Sequence, residues 1–241
     1  FICAVSKKAV ELGMRFDRIM TNGVWFRDKV HLVESLAKLK TAGYDGSICV
    51  SIDAFHGQKY ARVTQFIRAA SETWGWSGVV TAAFVSGARD ARTMKKLKKV
   101  LKTFPKTRVR AIPLSPVGKA ASLKDPWDGK WFKEDHCRGP GNVFFVMPNG
   151  SVKPCCGYAN AHKALTIGNI KRDGCEKLLS NAAKNRLVRA IFGSGLSSIR
   201  KRLERSGYVF PGKTSDHCFF CDYIMRKVPM KLLEKCLDPH E

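Results

Sequence analysis

The sequence predicts an α/β fold, a parallel sheet built from βα units, followed by a smaller α+β unit. Two observations predict the sheet. Segments with helical apolar spacing alternate with short apolar runs through the first hundred or so residues, and no hairpin turn separates one run from the next. A third observation marks the boundary: after "PLSPVGKA" the composition turns to loops, with Pro126, Trp127, Trp131, Gly139, Pro140 and Gly141 in close succession. The expected units are residues 1–118 and 119–241.

Taken in order, "ICAVSKKAVELG" reads as a helix closed by Gly13, and "FDRIM" as a strand ending in the turn "TNG". "VHLVESLAKLKTAG" is a helix with Val33, Leu36 and Leu39 on one stripe, and "SICVSID" is the next strand. A helix with Val63, Phe66, Ile67 and Ala70 follows, then the strand "GVVTAAFV". A helix with Met94, Leu97, Leu101 and Phe104 precedes the strand "TRVRAIPL". The lysine run "KKLKKVLK" lies within that helix, so its lysines form the solvated outer face rather than a nucleic-acid patch. Four parallel strands are fewer than such a sheet usually has, which suggests upstream βα units before Phe1. In the second unit "NVFFVM" and "SVKPCC" form a hairpin around the Asn149-Gly150 turn. A basic helical stretch runs from about Cys175 to Arg205, interrupted by "GSG", and "HCFFC" comes after it.

The 241 residues carry 43 Lys and Arg against 20 Asp and Glu, a net charge of +23. That excess favours acidic partners: nucleic acid, an acidic peptide or a phosphorylated ligand, with a merely solvated basic surface as the plain alternative. No run approaches the ~20 apolar residues of a membrane helix, and no signal peptide is visible, so a cytoplasmic protein without a membrane partner is expected.

Nine cysteines without a secretory signal point to reduced thiolates that bind metal. Cys3 and Cys49 lie in apolar helix and strand patterns and are expected to be small core residues. Cys137, Cys155, Cys156, Cys218 and Cys221 lie in polar, Gly- and Pro-rich contexts. Cys218 and Cys221 form a CxxC whose short loop lets two thiolates converge, and Cys137 with one of Cys155 and Cys156 completes four. Four thiolates suit a structural zinc ion or an iron–sulfur cluster, and spacing alone does not separate them.

The strand ends "TNG", "VSIDAFH" and "PLSPVGKA" resemble those of radical S-adenosylmethionine (SAM) enzymes. "HCRGPGNVFFVMPNGSVKPCCGY", "LTIGNI" and "HCFFC" resemble the SPASM or twitch domain that binds an auxiliary 4Fe–4S cluster in that superfamily. The resemblance implies a partial (β/α)6 barrel resembling a TIM barrel, here lacking its first βα units. The CxxxCxxC of the SAM-cleaving cluster is absent from the sequence and is expected upstream. The same resemblance places Asn22, Ser51 and Asp53 on the SAM side of the barrel mouth and pairs Arg62 with the SAM carboxylate. Asp53 also suits a helix N-cap, His56 reads as a loop residue, and Lys119 stands where many relatives have arginine. The Gly150-to-Cys155 spacing favours Cys155 over Cys156 as ligand, with Cys156 as neighbour or substitute. The full SPASM set has seven cysteines; those expected soon after Cys221 are absent, so one auxiliary cluster is expected, with Cys236 only a distant substitute.

The function this implies is an enzyme that modifies a peptide or protein substrate by hydrogen abstraction, using SAM, one auxiliary 4Fe–4S cluster and a second 4Fe–4S cluster in the complete protein. The surplus of cations from Lys171 to Arg205 suggests an acidic substrate segment. The alternatives are an RNA-modifying radical SAM enzyme and a non-catalytic, zinc-stabilised RNA-binding module.

Overall fold

Four strands, β1 (Arg18–Thr21), β2 (Ser47–Ser51), β3 (Val80–Ser86) and β4 (Arg108–Pro113), pair in parallel in the order of the chain. Met20 stands opposite Cys49, and Cys49 opposite Thr81. The computed structural model describes residues 1–52, 57–75, 80–86, 95, 99, 108–113, 125–133, 137 and 142–237. They divide into two compact units, Phe1–Leu114 and Ser115–Glu241. Asp53, His56 and Lys119 lie outside the described residues, as does the stripe Met94, Leu97, Leu101 and Phe104. Lys95 and Lys99, one helical turn apart, are both helical and exposed.

In the first unit α1 (Ile2–Glu11), α2 (Lys29–Thr41) and α3 (Tyr60–Trp74) accompany the sheet. Asp28 starts α2 by accepting the His31 N–H at 2.8 Å, which satisfies one of the donors a helix start leaves over. The buried stripe of α2 is Leu32, Leu36 and Leu39, whereas Val33 is exposed. This corrects the predicted stripe: Leu32 and Leu36 are four residues apart and Leu39 three further on, so all three share a face that Val33 leaves. In α3 Val63, Phe66, Ile67 and Ala70 are buried as their spacing predicts. Ile48, Cys49 and Val50 are consecutive in β2 and all buried, the mark of a strand covered on both faces. Cys3 is only half-buried.

The second unit holds a three-stranded antiparallel sheet of β5 (Phe145–Val146), β6 (Ser151–Lys153) and β7 (Gly168–Asn169). Gly150 takes φ 85° in the predicted turn, and its N–H donates to Met147 O at 2.8 Å. The basic stretch forms α4 (Cys175–Lys184), α5 (Arg186–Arg189), a π turn (Ala190–Ser194) and α6 (Leu196–Arg205). Two further helices follow, α7 (His217–Lys227) and α8 (Met230–Lys235). Leu178 and Ala182, then Leu196, Ile199 and Leu203, then Phe220 and Ile224 turn into one core with Val152 and Phe132. Each large side chain fully buried there contributes about 1.5–3 kcal/mol. Among the described residues no helix is long and apolar enough to cross a membrane.

Candidate metal centre

Strand β6 delivers the first thiol. Val152 and Lys153 are buried, and the Lys153 Nζ donates to His162 O at 2.6 Å and Thr166 Oγ1 at 2.7 Å. Burial away from water lowers the Lys153 pKa. These bonds anchor the segment that continues through Pro154 into Cys155, whose sulfur accepts the Gly157 N–H at 3.2 Å. A single 3-10 turn (Tyr158–Ala161) then leads away.

Helix α7 delivers two more. Asp216 caps it by accepting the Phe219 N–H at 2.9 Å, so Cys218 falls in the first turn and Cys221 three residues later on the same face. The sequence suggests a short loop as the device that brings this CxxC together; the structure supplies a helical turn instead. The fourth thiol, Cys137, belongs to the segment before β5.

Cys137, Cys155, Cys218 and Cys221 line one pocket, whose other walls include Leu165, Ile191, Phe192 and Leu196. Cys156 is exposed and is not among the residues lining it. Cys175 is exposed on α4, and Cys236 is buried beside Ser206 Oγ at 3.5 Å, with neither lining the pocket.

The thiols perturb one another. Burial pushes the Cys218 thiol up to about 12, and the negative charge that Asp216, Cys155 and Cys137 would carry adds to it. Cys221 is raised well above its ordinary value by burial and then by Cys155, Cys218 and Cys137. Cys155 is raised by burial, a rise opposed by its hydrogen bond from Gly157. Without a cation these sulfurs hold their protons; a metal centre among them supplies the positive charge that makes thiolates stable.

The residues fit an iron–sulfur cluster on two observations. Four thiols in an apolar pocket are the donor set such clusters take. Gly157 also leaves room between two of them, since a Cβ there would stand 3.2 Å from the Cys218 sulfur and 3.6 Å from the Cys155 sulfur. Among the described residues no three His, Cys, Asp or Glu side chains are drawn together as a single-ion site.

A second layer was not legible in the sequence. His162 Nε2 and Asp222 Oδ1 meet at 2.9 Å, and Arg226 Nε donates to the same carboxylate at 3.0 Å. The π turn sets Ile191 and Phe192 on the pocket wall; the "GSG" break, where Gly195 takes φ 84°, is its one signal in the sequence.

In the first unit the predicted strand-end residues share a partner. Gln58 Nε2 donates to Asn22 O at 2.5 Å and to Ser51 O at 2.6 Å. The Arg62 guanidinium lies 4.2 Å over the Phe26 ring, and its Nη2 donates to Phe26 O and, at 3.4 Å, to Val24 O. No motif marks Gln58.

Residues 137–204 match the SPASM family, an iron–sulfur cluster-binding domain. Cys137 and Cys155 fall within that span, and Cys218 and Cys221 beyond it. None of the curated proteins compared with the chain matches it. Among solved structures, a histidine-tagged anSMEcpe with bound AdoMet is similar to it over 95% of this chain and 78% of that one, at 14% identity and a TM-score of 0.48. The resemblance seen in "HCRGPGNVFFVMPNGSVKPCCGY" is therefore borne out by the family match over residues 137–204.

Proposed function

We propose that this protein is a radical SAM enzyme whose auxiliary 4Fe–4S cluster is held by Cys137, Cys155, Cys218 and Cys221, and that it modifies a peptide or protein substrate. One observation carries the reading: four thiols from three separate segments line a single apolar pocket in a chain with a SPASM match. Four protein thiolates would complete the ligands of a bound cluster, which would then serve to pass an electron rather than to hold a substrate atom. The parallel sheet is read as part of a (β/α)6 barrel, with SAM at the C-terminal strand ends, where parallel α/β folds bind ligands. When bound and reduced by one electron, SAM supplies the carbon radical that abstracts hydrogen from the substrate.

In this reading Asn22, Ser51 and Asp53 line the SAM site. Arg62 takes the SAM carboxylate with one edge of its five-donor fork while Nη2 keeps its hold on Phe26 O. SAM affinity tests this. Ser51→Ala and Asp53→Ala are each expected to weaken binding at least ~10-fold at an unchanged melting temperature, since a hydrogen bond to a charged group is worth about 1.5–3 kcal/mol. Unchanged affinity with lowered stability would assign Asp53 to helix capping instead.

The substrate is proposed to be acidic. Of the predicted cations, Arg200 stacks 4.5 Å over Trp131 and pairs with Glu204 at 2.8 Å, Arg202 donates to Cys236 O at 3.4 Å, and Arg186 donates to Glu234 O at 3.2 Å. Lys171, Arg172, Lys184, Arg189, Lys201 and Arg205 are exposed. The +23 charge also favours the RNA reading. Competition between acidic peptides and arbitrary RNA at two salt concentrations separates the two. A peptide site selects among equally acidic peptides by their apolar residues, whereas an RNA site accepts unrelated RNA with a steep salt slope.

A further inference from the structure

Gln58 sits just before α3 and touches the backbone of two strand ends at once. Its Nε2 donates to Asn22 O at 2.5 Å, immediately after β1, and to Ser51 O at 2.6 Å, the last residue of β2. These two backbone carbonyls, at the C-terminal ends of neighbouring parallel strands, are joined by one amide group. The other half of that amide is Oε1, which is buried and, among the described residues, accepts no hydrogen bond. A buried acceptor without a donor costs stability, so a residue chosen only to strengthen the fold would not be left half-satisfied.

The loop that Gln58 meets is otherwise arranged by its own side chains. The Gly23 N–H donates to Thr21 Oγ1 at 3.1 Å and the Val24 N–H to Asn22 Oδ1 at 3.2 Å. Arg62, one helical turn beyond Gln58, holds the far end of the same loop through Phe26 O and Val24 O. Among the described residues, Gln58 is the side chain that ties the near end of that loop to β2.

We propose that Gln58 is a positioning residue for the strand-end site: its Nε2 staples Asn22 to Ser51 and so fixes the spacing at which both meet bound SAM. This rests on the SAM reading given above. The staple lowers the conformational freedom that binding would otherwise have to remove, so its loss appears in affinity more than in folding.

Two variants test it. Gln58→Leu removes the donor and keeps the bulk; Gln58→Lys keeps a donor that can reach both carbonyls and discards Oε1. Three readouts are taken: SAM binding by equilibrium dialysis with the clusters reconstituted, melting temperature, and amide hydrogen exchange of residues 21–26 without SAM. Gln58→Leu is expected to bind SAM at least ~10-fold more weakly, to exchange faster over 21–26, and to melt no lower than the parent. Gln58→Lys is expected to bind and exchange within about threefold of the parent. Parent-like exchange and SAM affinity in Gln58→Leu would overturn the proposal. So would a collapse of the melting temperature that Gln58→Lys does not repair, since that marks a purely structural residue. If the parent protein binds no SAM, the SAM reading fails, and the exchange data still decide whether the staple orders the loop.

Discussion

His162 and Asp222, sixty positions apart in sequence, meet at 2.9 Å and join the turn after Cys155 to the helix that carries Cys218 and Cys221. Asp222 is buried, accepts a second bond from Arg226, and lies next to Cys221 in the chain. Lys153 holds the backbone carbonyl of the same histidine. The two thiol-bearing segments are therefore tied together through protein groups, as a layer outside the ligands often does in metal sites.

Removing that tie should loosen the site before any iron is bound. Asp222→Ala leaves His162 and Arg226 without their shared acceptor and is expected to cost about 1–3 kcal/mol of stability. Thermal melting of the metal-free protein reads the cost, and iron analysis after reconstitution should show fewer irons retained. A variant that melts and loads iron like the parent would show that the ligands alone organise the site.

The space at Gly157 gives a second expectation. A Cβ there already stands 3.2 Å from the Cys218 sulfur, and a branched side chain reaches into the pocket itself. Gly157→Val should load less than half the iron of the parent while retaining most of its helical circular dichroism. Full loading would mean that the cluster does not lie between Cys155 and Cys218.

The adjacent cysteines are predicted to differ sharply. Cys155 lines the pocket and its sulfur is hydrogen-bonded; Cys156 is exposed. Cys156→Ala should keep the visible absorption of the cluster, and Cys155→Ala should abolish or strongly reduce it. The reverse pattern would exchange their roles.

The pH dependence of the metal-free protein follows from the buried thiols. Cys218 has an ordinary value of 9.0 and is pushed up to about 12, with Cys221 raised as well, both chiefly by burial. In the unfolded chain these thiols ionise near pH 9 while the folded protein keeps their protons, so unfolding releases protons between the two values. Their contribution is fully present below pH 9 and is lost as pH rises toward 12. The melting temperature under reducing, metal-free conditions should fall as pH rises from about 9 toward about 12, and Cys218→Ala should flatten that fall. A flat profile in the parent would mean that the thiols are not desolvated.

Much of the first unit was legible because its signals are local. The stripes of α2 and α3 and the apolar run of β2 each lie within one element, and alternation alone dictates parallel pairing. The error at Val33 came from starting the stripe one residue late; the spacing of Leu32, Leu36 and Leu39 already sets them on one face, and that face is the buried one. Cysteine spacing drew attention to "HCFFC" as a metal-binding loop, although Asp216 as a cap and Phe220 and Ile224 four apart already spell a helix. Gln58, His162 and the Ile191–Phe192 wall carried no signal, because each acts on residues brought close only by folding.

Whether four cysteines hold one iron–sulfur cluster is decided by the iron and sulfide content of the Cys156→Ala protein after anaerobic reconstitution, read with its Mössbauer spectrum. About four irons and four sulfides per chain in a single cubane signal are expected, as a cluster of this type held by four thiolates requires. One tightly bound zinc ion, with no iron or sulfide taken up, would contradict that expectation.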